Sequence, residues 1–285
     1  MWQGQFEGWY FKQQCGNHTV AFIPARHREK NGNETASLQI IFDDQTWNLE
    51  IPPEQFSVQK KPFQVCAGSC IFRLDGCEID CSNHDVSLRG KLKYSMHSMP
   101  KKDIMGPFRF VPAMQCRHSL LSLTHRVDGE LNIGGEQIVF RNGKGYVEGD
   151  RGKSFPERYM WTQCSWEENC IMMSVADIPF LGGCFTGCIS SVYVDGKERR
   201  FATYLGAKLD RINENEISIR QGSYRLSARL EEKNALPLRA PKQGGMVRTI
   251  RESLVCRAHY ELKKDGAILL AVTNDRASFE AEWKK

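Results

Sequence analysis

The sequence predicts an all-β chain of two tandem antiparallel units with few short helices. Three observations lead there. Apolar and polar side chains alternate with period two over many short segments. Asp-Gly pairs recur among them, at Asp75-Gly76, Asp128-Gly129, Asp195-Gly196 and Asp265-Gly266, each read as a hairpin turn. Helical periodicity is scarce along all 285 residues, a length that suits two domains of ordinary size.

Phe6-Glu-Gly-Trp-Tyr-Phe-Lys12 reads as a first strand, with Trp9 and Phe11 on one face and Tyr10 and Lys12 on the other. Pro52–Phe56 reads as a single helical turn, since proline is tolerated there. Ala113–His125 fits helix and strand equally. Gly134-Gly135 and Asn142-Gly143 interrupt the pattern and divide the chain into units 1–140 and 141–285. Beyond them, Ile217 and Ile219 face Tyr224, Leu226, Ala228 and Leu230 across Gln221-Gly222-Ser223, a hairpin with one buried face.

The net charge of +5 arises from 39 basic and 34 acidic residues without a block of five like charges, which argues against nucleic-acid binding. No apolar run reaches the length of a membrane span. The N-terminus lacks the basic and apolar regions of a signal peptide. The expectation is a cytoplasmic protein with at most peripheral membrane contact, its eleven cysteines reduced.

Charge and aromatic rings are concentrated between Gly145 and Cys164. Tyr146, Glu148 and Asp150 share one face of a strand; Tyr159, Trp161 and Gln163 share one face of the next. Gly149 and Gly152 permit a bend between them. If both faces point into one barrel, carboxylates and rings line one cavity. The plainer alternative is that Glu148 and Asp150 cap turns or pair with Arg151 or Arg158.

Other chemistries fit poorly. Gly152-Lys153-Ser154 resembles the end of a phosphate-binding loop, but the first glycine and the helix are missing. Cys66, Cys70, Cys77 and Cys81 have only tolerable zinc spacing, and buried free thiols are the commoner outcome. The seven histidines form no metal pattern. Gly-x-Ser-x-Gly and Gly-x-Gly-x-x-Gly are absent, so neither a serine hydrolase nor a nucleotide cofactor is expected.

Two motifs resemble the tocopherol cyclase family. Gly8-Trp-Tyr-Phe-Lys12 is similar to its N-terminal signature. Tyr146-x-Glu148-x-Asp150-x-Gly152, followed by Phe155-Pro156, Trp161, Gln163 and Cys164, is similar to its second. The family has Asn-Trp-Gly where Asp150-Arg151-Gly152 stands, Trp at Tyr159 and Asn at Ser165. The resemblance implies a calycin-related fold of two lipocalin-like β-barrels, and it extends distantly to carotenoid hydratases, which also protonate alkenes. It implies no cofactor and a hydrophobic small-molecule ligand, a prenylquinol being one such molecule.

Under that resemblance Asp150 or Glu148 is the acid, provided that burial keeps it protonated. Trp9, Tyr10, Tyr146, Phe155 and Trp161 would surround the ligand, and Trp161, Tyr146 and Trp9 would stabilise a tertiary cation through their rings. Gln163 or the other carboxylate would orient the attacking hydroxyl; in a lipid binder without chemistry Arg151 would instead meet an anionic head group. A non-catalytic binder of an apolar lipid is the competing class. An apolar pocket with a buried carboxyl lacking a cation favours the enzyme; arginines neutralising both carboxylates favour the binder.

Overall fold

A computed structural model describes residues 4–112, 114–180, 183–232, 236–242 and 245–283. It is all-β. The first sheet holds β1 (Gln5–Cys15), β2 (His18–Arg28), β3 (Glu34–Phe42), β4 (Gln45–Ile51), β5 (Phe56–Lys60), β6 (Phe63–Ala67), β7 (Cys70–Arg73), β8 (Gly76–Ser82), β9 (Ser87–Ser98), β10 (Cys116–Ile133) and β11 (Glu136–Gly152). They run as two antiparallel meanders, β1–β4 and β5–β11, joined where β1 pairs with β11. The sheet curls into a nearly closed barrel around one apolar core that includes Phe11, Phe22, Leu38, Phe72 and Val147.

The second sheet holds β12 (Tyr159–Trp166), β13 (Asn169–Phe180), β14 (Gly183–Val194), β15 (Lys197–Ala202), β16 (Lys208–Asn213), β17 (Glu216–Gln221), β18 (Tyr224–Glu232), β19 (Leu236–Lys242), β20 (Gly245–Lys264) and β21 (Ala267–Ala281). Its order is β15-β14-β13-β12-β21-β20-β18-β17-β16, with β19 pairing on β20. Again a sequence-distant pair, β12 with β21, joins the two ends of the unit. Among the described residues helix is confined to short 3₁₀ segments at Pro53–Gln55, Gly106–Phe110 and Thr203–Leu205.

Three Asp-Gly turns stand where the sequence places them, at residues 75, 195 and 265. Asp128-Gly129 is different, because it lies inside β10, at a register shift against β11. Gly129 has φ +136°, and a methyl there would overlap the Lys91 carbonyl oxygen, so the glycine admits β9 at close range instead of turning the chain. The ambiguous segment 113–125 becomes strand from Cys116 onward; Ala113 lies outside the described residues.

The division at 140/141 falls within β11, which pairs with β1 and β10 in the first sheet. The sheets part instead between Gly152 and Tyr159. The strand of Tyr146, Glu148 and Asp150 therefore completes the first barrel, and the strand of Trp161 opens the second unit. The reason is pairing: β1 needs a partner on its far side, and β11 supplies it. The two sheets pack face to face through a third apolar cluster, in which Tyr10, Leu120 and Tyr146 meet Trp161, Met172 and Leu254.

Candidate functional site

On the first sheet, β11 alternates. Val147 enters the barrel core, whereas Tyr146, Glu148 and Asp150 face the second sheet. Gly149 must lack a side chain, since its Cβ would come within 2.7 Å of the Trp9 ring. The face turned to the second sheet borders a largely apolar cavity of about 190 Å³, walled by Phe6, Ile23, Phe108, Phe155, Trp161 and Ile178 among others. β19 helps to wall it: Gln39 both donates to the Arg239 carbonyl oxygen at 3.0 Å and accepts from its N–H at 2.8 Å, so the segment is held against β3.

An acid–imidazole cluster stands in the wall. His118 of β10 is the cross-strand partner of Asp150. Its Nδ1 lies 3.0 Å from Asp150 Oδ1, and its Nε2 lies 3.3 Å from Glu148 Oε2, an ion-pair contact without hydrogen-bond geometry. Burial disfavours the imidazolium, but the charges of Glu148 and Asp150 and contacts to both carboxylates outweigh it, and the His118 pKa lies well above its ordinary value. His118 is therefore a cation at neutral pH. Glu148 Oε2 also accepts from Tyr146 Oη at 2.5 Å and from Trp161 Nε1 at 3.2 Å. Cys116 completes the group, its Sγ 3.5 Å from Asp150 Oδ1.

The second sheet contributes two further carboxyls, Glu252 of β20 and Glu280 of β21, which are cross-strand partners and both buried cavity residues. Burial pushes the Glu252 carboxyl up to about 7, with Glu148 adding to the shift; a hydrogen bond from Tyr10 Oη at 2.7 Å and the charge of Lys12 oppose it. Burial raises Glu280 well above the carboxylate range, and the charges of Glu282, Asp150 and Glu148 push the same way. Tyr159 donates to Glu280, and no cation pairs with Glu280 among the described residues. Burial thus favours the protonated form of Glu280, which stands beside Trp161, its partner on β12.

Most residues singled out in the sequence converge here. Glu148, Asp150, Trp9, Tyr10, Phe155 and Trp161 all border the cavity, and Tyr146 backs it through Glu148. Trp9 belongs chiefly to the first core, its ring edge-on to Phe63. Two residues do not converge. Arg151 is exposed on the opposite face of β11, because a strand turns successive side chains apart. Gln163 is fully buried away from the cavity. It accepts from Lys12 Nζ at 3.0 Å and donates to Ser165 Oγ at 2.7 Å. Lys12 also donates to Ser278 Oγ and the Arg276 carbonyl oxygen, and burial lowers its pKa to about 8. That cluster ties β1 to β12 and β21.

His118, Glu252 and Glu280 escape sequence reasoning. The signal for His118 was its period-two position between Cys116 and Leu120, hidden because the segment also fitted a helix. Glu280 shares its strand face with Ser278, a polar pair flanking Phe279 that reads as an ordinary exposed face. His118, Glu148 and Asp150 also present one donor atom each within 4.8 Å of one another, the single such group among the described residues. Imidazole with two carboxylates suits a divalent cation, but here the histidine spends both ring nitrogens on those carboxylates. Cys66, Cys70, Cys77 and Cys81 form no such group; Cys77 accepts from the Tyr94 hydroxyl at 3.2 Å.

These features define a lipocalin-like β-barrel protein with an acid-lined apolar cavity between its two sheets. The fold recurs in an AttH-type protein of Nitrosomonas europaea whose assignment is provisional, at TM-score 0.60 and 11% identity over 99% of this chain and 93% of that one. It recurs in kievitone hydratase from Nectria haematococca, at TM-score 0.55 and 10% identity over 97% and 88%. No protein-family model matches the chain, and no curated protein sequence does. No helix among the described residues is long and apolar enough to cross a membrane.

Proposed function

We propose that the protein binds an isoprenoid-type lipid in the inter-sheet cavity and protonates its double bond. A neutral carboxyl donates its proton to the alkene, a C–H bond forms, and a tertiary cation is left. An oxygen nucleophile, either a phenol of the same molecule or water, bonds to the cation and gives up its proton to the carboxylate. The first route closes a ring, as the tocopherol cyclase resemblance implies; the second hydrates the alkene. Trp161 and Tyr159 border the path of the cation.

The observation that carries this reading is Glu280, a buried carboxyl without a cation on the wall of an apolar cavity. In this reading the donor is Glu280, with Glu252 as its neighbour. Glu148 and Asp150, which share His118, supply fixed negative charge facing the cation. Among the described residues no arginine forms an ion pair with either. The same cavity supports the alternative of a binder without chemistry.

Incubation with a prenylated quinol, followed by mass spectrometry, separates the two. The expected product is a chromanol or an alcohol heavier by one water. Glu280→Gln is expected to lower turnover at least about 100-fold, and Asp150→Asn or Glu148→Gln to lower it less. Quinol bound and recovered unchanged would establish the binder. Undiminished turnover in Glu280→Gln would return the acid role to Asp150, Glu148 or Glu252.

A further inference from the structure

The cavity has a second polar feature, away from the carboxyl cluster. His27 of β2 is 4% exposed, lines the cavity, and has no hydrogen-bond partner at either ring nitrogen. Two unsatisfied buried nitrogens on one ring are costly unless something occupies them. Burial lowers its pKa to about 4, so the ring is neutral and offers one donor and one acceptor. Other polar groups nearby are engaged: Gln39 is held by Arg239, and Tyr10 by Glu252. Gln115 Oε1 is one further acceptor of the lining without a partner.

Strand register places His27 relative to the acids. One cross-strand row runs His27, Phe6, Gly152, Cys116; the next runs Ala25, Gly8, Asp150, His118. His27 and Asp150 are thus two strands and one row apart, roughly 12 Å between backbones. The ground between them is flat. Gly8 has no side chain, and a Cβ there would sit 3.2 Å from the Ala25 methyl. A long ligand can lie on this floor with its two ends at different chemistry.

We propose that His27 is the polar anchor of the ligand, taking a hydroxyl, phenol or carbonyl group while the apolar remainder crosses the Gly8–Ala25 floor toward Asp150 and Glu280. The substrate class is then an amphiphile with a neutral hydrogen-bonding head, not a hydrocarbon. An anionic head is disfavoured, since burial holds the ring uncharged. This specificity role rests on the reading of the cavity as a lipid site, but not on any turnover.

The test is binding, read by tryptophan fluorescence, of 4-geranylphenol and of geranylbenzene, which lacks the hydroxyl. The wild-type protein is expected to prefer the phenol at least tenfold. His27→Phe, which removes two unpaired polar atoms, is expected to stay folded and to shrink the preference below about threefold. His27→Gln keeps a donor and an acceptor and should retain part of it. A wild type that shows no preference or binds neither probe, or a folded His27→Phe that keeps the full preference, overturns the proposal. A His27-dependent preference without product would remove the acid chemistry and leave the anchor standing; product without that preference would remove the anchor alone.

Discussion

Trp161 Nε1 lies 3.2 Å from Glu148 Oε2, so one hydrogen bond joins the last strand of the first sheet to the first strand of the second. Both groups are buried. Trp161→Phe keeps an aromatic ring but removes the donor. A hydrogen bond to a charged acceptor is worth about 2 kcal/mol. The unfolding free energy read from urea titration is expected to fall by that amount, with a lower midpoint, and an unchanged midpoint would show that the bond adds nothing to the docking of the sheets.

His118 holds two carboxylates on one buried wall. Its folded pKa is raised above the unfolded value near 6.5, so its stabilisation is fully present below pH 6.5 and is lost as pH rises through the folded pKa. His118→Asn leaves Glu148 and Asp150 without their cation, at a cost of about 3–5 kcal/mol at pH 6. Urea unfolding at pH 6 and pH 10 should show the gap between wild type and variant narrowing at the higher pH. A constant gap would deny the imidazolium.

Glu252 predicts a second loss of stability with rising pH. Its folded pKa of about 7 exceeds the usual carboxyl value of 4.5. The folded protein holds this proton more tightly, so the advantage is complete below pH 4.5 and disappears as pH rises through 7. Its loss amounts to about 3 kcal/mol by pH 8.5. Glu252→Gln cannot ionise. The variant is expected to unfold at higher urea than wild type at pH 8.5, and not at pH 5.

Gly145 faces His125 and Gln13, and a methyl there would overlap the imidazole ring and the amide oxygen. His125 is pinned by Ser122, its Nδ1 2.9 Å from Ser122 Oγ, so it has little freedom to move. Gly145→Ala should cost about 3 kcal/mol by overpacking. Calorimetry reads this directly, and the double variant Gly145→Ala/His125→Ala should recover part of the loss.

Legibility differed by feature. The β class followed from alternation at Tyr224–Leu230 and from the Asp-Gly turns, because a pleated strand repeats every two residues and a tight hairpin needs a left-handed turn. Glu148, Asp150 and Trp161 stood out because charge beside large rings is rare in a short segment. Asp128-Gly129 misled because the same pair that turns a chain also permits a bulge. Arg151 misled because a strand sends alternate residues to opposite faces, and Gln163 misled because it shares the face of Trp161 but lies farther along β12, past the cavity and against Lys12.

By itself the sequence determined the period of the backbone, the apolar faces, and a carboxylate–aromatic stretch from Tyr146 to Trp161. These are local properties, set by residues near one another in the chain. Tertiary structure alone decided that β11 pairs with β1, a separation of more than a hundred residues, and so assigned Glu148 and Trp161 to different sheets. It also decided that Glu252 and Glu280 share their cavity with Glu148 and Asp150. The physical reason is that a carboxyl's ionisation depends on what surrounds it in space. Burial between the two sheets, with Glu282 and the β11 carboxylates adding to it, raised the Glu280 carboxyl, and the same two β11 carboxylates raised His118 against burial; of these influences only Glu282 stands beside the residue it acts on in the sequence.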